Sequence, residues 1–236
     1  MIEELLKYSP YISVMVALFT IAMTLITIKR NRVVKETLSL QYADIFRETN
    51  QMFFKLHQFN RKEKVAQHEW ITIAKEFADG SKNLFDKITH SNCNVSIKVF
   101  VHSKRDISIK TLIRSSNAAI DREEFDERFG QRLADDTIAM SVFSGKAYYL
   151  DNDLLPLKKD AIAKKYTDWK MPYLSILTVP IKHSHGNKDD LMIGMLTITS
   201  DKRNAFSLDL DLSMAQGLAD GMSDFLKYVL DSYMIK

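Results

Sequence analysis

Residues 11–28 read YISVMVALFTIAMTLITI and contain no charged side chain. Eighteen residues of α-helix at about 1.5 Å each reach roughly 27 Å, close to the thickness of a bilayer's hydrocarbon core. A helix can cross that thickness because it satisfies its own backbone groups, and the polar members of this run are hydroxyl residues that can bond back to it. Pro10 stands just before the run, where a missing N–H costs nothing. A secretory signal peptide would need a basic leading segment and a small-residue cleavage site. Here the leading segment carries Glu3 and Glu4 beside Lys7, and the apolar run ends directly in Lys29-Arg30. A single transmembrane helix is therefore expected at 11–28, within an anchor region of 1–32. Lys29, Arg30, Arg32 and Lys35 follow the run, so the positive-inside rule puts the large C-terminal part in the cytoplasm and the N-terminus outside. Tyr8 and Tyr11 sit where an interfacial aromatic belt would be. The expected location is the cell inner membrane, single-pass.

Charge and cysteine content narrow the function classes. The net charge is +3 and the basic residues form no long tract, which argues against a nucleic-acid partner. Cys93 is the only cysteine, so there is no internal disulfide and no cysteine-based zinc site. A reducing compartment suits such a chain.

Residues 33–62 read as a connecting helix. Leu38, Tyr42, Ile45, Thr49, Met52, Leu56 and Phe59 step by alternating four and three, the seam of a coiled coil. On this pattern Leu38, Tyr42, Ile45, Met52, Leu56 and Phe59 are expected to form a dimer seam, giving a homodimer or higher oligomer. Folding back onto the chain's own domain is the alternative reading of the same stripe. Residues 60–64 break the pattern as a hinge. A second helix follows with Trp70, Ala74, Phe77, Leu84 and Ile88 inward, weakened at Gly80-Ser81.

From Asn94 the period becomes that of strands. Val95, Ile97, Val99 and Val101 alternate with polar residues, and residues 107–114 alternate again, which makes a hairpin. A polar, partly helical stretch is expected at 121–129. A short helix at 137–144 closes on Gly145, suited to a left-handed cap. A strand at 146–150, a Lys-rich helix at 157–169, strands at 173–179 and 191–199, and a polar loop at 182–190 complete the middle. The final helix is expected to start at Ser207 as N-cap, with Asp209 and Asp211 favouring its N-terminal dipole. The order predicts an α+β fold with a mostly antiparallel sheet and helices packed on one face, preceded by the transmembrane and connecting helices.

Leu177-Thr178-Val179-Pro180-Ile181, then Ile193-Gly194-Met195-Leu196-Thr197-Ile198, then Ala205-Phe206-Ser207 opening the last helix, resemble a GAF domain. Ser144-Gly145-Lys146-Ala147 before Asp151 resembles the same family's glycine, strand and aspartate segment. The resemblance covers roughly 64–236, and the expected domain is 63–236. It implies a GAF/PAS-like fold acting as a small-ligand or protein-interaction sensor. Members bind cyclic nucleotides, bilins, haem or amino acids, and many bind nothing known; no cofactor follows for this chain. Ser200-Asp201 stand where nucleotide-binding members carry Asn-Lys, and Leu210-Asp211 where they carry Asp-Glu. Cys93 lies outside the bilin-attachment region, and the family's methionine-sulfoxide reductases need several cysteines.

The resemblance places a ligand pocket between the sheet and the helical insert, with Arg114, Ser116, Asn117, Tyr149, Trp169, Tyr173 and Ser175 as its polar and aromatic residues. Arg114 could pair with a carboxylate or phosphate, and Gly194 leaves room close to the sheet. Ser144-Gly145-Lys146 is no phosphate loop, because Met140 stands where the motif needs glycine. His183 and His185 in a polar loop, and the acidic run at 121–127, read as solvated surface. No catalytic residue, metal site or nucleophile–base pair can be placed, so the chain is not expected to be an enzyme. The expected function is a membrane-anchored cytoplasmic sensor signalling through self-association or a separate partner. The alternative is a membrane-acting effector, of the kind found in bacterial nucleotide-signalled defence, whose helices cluster on ligand binding.

Overall fold

A computed structural model describes residues 23, 26–27, 29–30, 42–59, 66–102, 107–116, 131–132, 137–154, 173–185 and 188–234. The chain divides into two compact units, Met1–Arg47 and Glu48–Lys236. In the first unit the described residues are helical, and the Thr27 hydroxyl donates back to the Met23 carbonyl at 2.8 Å. Of the expected span 11–28, only Met23, Ile26 and Thr27 are described, and among the described residues no helix is long and apolar enough to cross a membrane. Leu38, the hinge at 60–64, and the stretches 121–129 and 157–169 lie outside the described residues. Tyr42 and Ile45 fall in the first unit.

In the second unit, β-branched residues at every other position build the centre of one antiparallel sheet. Its strands are β1 (Cys93–His102), β2 (Ile107–Arg114), β3 (Gln131–Arg132), β4 (Tyr149–Asp151), β5 (Ser175–His185) and β6 (Lys188–Ser200), in the spatial order β3-β2-β1-β6-β5-β4. The helices are α1 (residues 48–59), α2 (Gln67–Thr89), α3 (Thr137–Phe143) and α4 (Leu210–Val229), the last continued by a π-helical turn, Leu230–Met234.

One face of the sheet carries Val95, Ile97 and Val99, register-paired with Ile198, Leu196 and Gly194 of β6, which pair in turn with Leu177, Val179 and Ile181 of β5. All of these apolar side chains are 0–1% exposed. A Cβ on Gly194 would stand 2.9 Å from Leu226 of α4, and closer still to the Lys98 carbonyl. This glycine therefore makes room for α4 and for the neighbouring strand, not for a ligand. The Lys98 carbonyl sits at a register shift of the β1–β2 pair, between Ile97 and Lys98. Such bulges re-aim a strand locally.

The three longer helices interlock through glycines. A Cβ on Gly80 of α2 would lie 2.5 Å from the Met52 sulfur of α1, and one on Gly221 of α4 would lie 2.8 Å from Cδ1 and Cζ of Phe53. Two adjacent residues of α1 thus fill notches in two different helices. Gly80 does not weaken α2, which runs unbroken from Gln67 to Thr89, because the contact its missing side chain permits offsets its poor helix propensity. Phe59 is 1% exposed, its ring centroid 4.8 Å from Phe225 and 5.4 Å from Tyr228. Met52 and Leu56 are buried as well. Three of the seam residues therefore pack within their own domain.

Three further expectations are corrected. Of the stretch 182–190, read as a polar loop, residues 182–185 continue β5 and 188–190 belong to β6, with His183 opposite Leu191 and His185 opposite Lys188. Backbone pairing holds such an extension without apolar alternation, which is why the pattern concealed it. The helices are also not all on one face. Ala139 of α3 packs with Phe100, Ile109 and Met195, and Ile138 with Leu154, Tyr173 and Ile176, on the face opposite Gly194. That apolar end of the second face needs a cover, and α3 supplies it. The final helix starts at Leu210 instead of Ser207. Ser207 still directs its first turn, giving both its N–H (2.6 Å) and its hydroxyl (2.8 Å) to Asp211 Oδ2.

Candidate functional site

The second face of the sheet is where strand alternation turns polar. The register sets five side chains side by side across five strands: Arg114 (β2) opposite Ser96 (β1), Ser96 opposite Thr197 (β6), Thr197 opposite Thr178 (β5), and Thr178 opposite Tyr149 (β4). Four strand spacings of about 4.8 Å put the ends of this row roughly 19 Å apart. Thr178 donates its hydroxyl hydrogen to Thr197 Oγ1 at 3.2 Å, which fixes both on the same face. Arg114, Ser96, Thr197 and Thr178 are 8%, 8%, 6% and 0% exposed. Valine would fill these strand positions without the cost of burying a hydroxyl. Polar choice at four consecutive buried positions is the mark of a face that meets something polar.

The surroundings extend that character. Arg114 Nη2 donates to Thr111 Oγ1 at 3.2 Å, and Thr111 pairs with Lys98. Asn94, two residues before Ser96, has a buried Oδ1 that accepts no hydrogen bond, and so does Ser141 Oγ on α3. Burial, and secondarily the Asp151 carboxylate, push the Tyr149 phenol up, so it stays a neutral donor.

The other residues expected at the pocket have different places. Tyr173 lies beside the row's β4–β5 end, buried with Ile138, Leu154 and Ile176. Ser175 is on the opposite face parity and gives its hydroxyl to the Lys202 carbonyl at 2.7 Å. Ser116 donates its N–H and hydroxyl to Asp79 of α2, at 2.6 and 2.7 Å, and is exposed. Asn117 and Trp169 lie outside the described residues. Of the expected set, the register thus brings Arg114 and Tyr149 into one row with Tyr173 next to it. Ser96, Thr178 and Thr197 were missed. Their only signal in the sequence was a hydroxyl residue on the polar parity of three strands, visible once pairing is known.

Away from the row, a concavity of about 260 Å³ lies between α1 and α2 over Met52, Leu56, Phe77 and Gly80. Its rim is bridged by the Lys55–Glu76 ion pair at 2.7 Å. Among the described residues no group of three or more His, Cys, Asp or Glu side chains is gathered as a metal site requires.

No protein-family model and no curated protein matches the chain. Solved structures do. The GAF domain of an Acinetobacter phosphoenolpyruvate-protein phosphotransferase is 12% identical, with a TM-score of 0.52 over 80% of this chain and 98% of that one. The corresponding domain from Coxiella burnetii is 10% identical, with a TM-score of 0.52 over 78% and 96%. A further solved GAF domain is 12% identical, with a TM-score of 0.53 over 76% and 87%.

The fold is that of a GAF domain. At these identities the likeness speaks for architecture alone. In this GAF-like domain the polar row occupies the sheet face that carries α3, opposite α2 and α4.

Proposed function

We propose that the chain is a sensory or regulatory module whose GAF-like domain binds a small ligand over the Arg114–Ser96–Thr197–Thr178–Tyr149 row. The observation that carries this reading is the row itself: four buried polar side chains in register on one sheet face. Binding fits the row better than catalysis. It offers a permanent cation and hydroxyl donors, and none of its five members is an imidazole or thiol paired with a nucleophile. In this proposal the uncharged segment 11–28 holds the domain at the membrane, and the bound state is read by a partner or a second copy. Native mass spectrometry of the full chain, extracted in detergent, tests it. A retained small molecule that disappears in Thr197→Val is expected. A wild-type protein that carries nothing, and whose thermal unfolding no metabolite alters, contradicts the reading.

A further inference from the structure

The concavity between α1 and α2 has two unmet needs that a single occupant satisfies. Its floor is apolar, built from Met52 and Leu56 of α1 and Phe77 of α2, all buried, with Met52 lying across the notch at Gly80. Such side chains leave water and gain dispersion contacts when an apolar body fills the space. Glu48 lines the same concavity. Its Oε1 is ion-paired with Lys87, whereas its Oε2 is buried and accepts no hydrogen bond from any described residue. A buried acceptor left unpaired is costly, so this oxygen calls for a donor.

The charges are already balanced. The lining has three charged groups, Glu48, Lys55 and Glu76; Lys55 pairs with Glu76 at 2.7 Å, and Glu48 pairs with Lys87. The other polar members, Gln51 and Asn83, are exposed amides at the mouth. A neutral donor therefore fits better than an ion. At about 260 Å³ the space falls just short of the roughly 300–1,000 Å³ of pockets for drug-sized molecules, which suits a ligand of one or two rings. The Met52 sulfur and the Phe77 ring favour an aromatic one.

We propose that this concavity binds a small uncharged aromatic molecule with one N–H or O–H, the chemistry of an indole or a phenol. Its ring lies over Met52, Leu56 and Phe77, and its donor reaches Glu48 Oε2. The occupant touches both helices, so binding tightens the docking of α1. The site uses no residue of the polar row, and its test is independent of the reading of that row.

The test uses the full chain in detergent, labelled at its methionine methyls, with indole, phenol and N-methylindole as probes. Indole and phenol should move the Met52 signal saturably and further than that of Met140, which is exposed on α3. N-methylindole lacks the donor and should bind on the order of tenfold more weakly than indole. Glu48→Ala should erase that difference; its ion pair with Lys87 is partly exposed, so the variant should still fold. Gln51→Trp, at the exposed mouth, should block indole and phenol alike. Equal binding of indole and N-methylindole at Met52, or a difference that survives Glu48→Ala, would overturn the contact with Glu48. No saturable movement of Met52 with either indole or phenol would overturn the site.

Discussion

The ring of Phe53 on α1 occupies the space that a side chain on Gly221 of α4 would need. One turn earlier on the same helix, Gly217 is exposed, and a Cβ there would meet nothing within 4 Å. The two glycines look alike in the sequence and differ in consequence. Gly221→Ala is expected to lower stability by about 1–3 kcal/mol through overpacking. Gly217→Ala is expected to raise it by up to about 1 kcal/mol through helix propensity. Chemical denaturation of both variants checks the pair, and equal effects would contradict the docking of α1.

Phe59 and Phe54 make a second contrast on α1. Phe59 is 1% exposed against Phe225 and Tyr228, whereas Phe54 is 63% exposed. Phe59→Ala should cost about 3–5 kcal/mol, as expected for a large buried aromatic. Phe54→Ala should stay within about 0.5 kcal/mol in unfolding experiments on the dilute protein. A small effect at Phe59 would mean that α1 is not part of the folded domain.

Cys93 links stability to alkaline pH. Burial pushes its thiol up, hydrogen bonds with Ser91 and Thr89 pull it down, and Asp86 pushes up again. The folded state thus holds the proton more tightly than the unfolded chain. That stabilisation is complete below the unfolded thiol's value, about 8.5, and is lost as pH rises through the higher folded value. Melting temperature measured from pH 7 to 10 should therefore fall more steeply for the wild type than for Cys93→Ala. Parallel curves would show that the thiol titrates no differently once folded.

Much of the fold could be read from local chemistry. The 95–101 and 107–114 alternation became β1 and β2, Gly145 adopts φ +101 after α3, and Phe206 is buried with its ring 6.3 Å from Phe85. These features depend on a residue's own conformational preferences or on period, which a sequence displays directly. The β5–β6 extension through His183 and Lys188 was hidden because backbone ladders leave no side-chain signature. The Gly80 notch was hidden because it depends on which residue of another helix arrives there. The site divides the same way. Arg114 and Tyr149 stood out by chemistry, whereas Ser96, Thr178 and Thr197 are ordinary strand residues until register aligns them.

The central claim, that the ligand lies on the Thr178–Thr197 face, is tested most directly by methyl NMR. Thr197 and Leu196 are neighbours in the chain on opposite faces of β6, and Thr178 and Val179 stand in the same relation on β5. Titration with a small-molecule cell extract that raises the unfolding midpoint should move the methyl signals of Thr178 and Thr197 well beyond those of Val179 and Leu196. Larger movement at Val179 and Leu196, or equal movement at all four, would contradict the account.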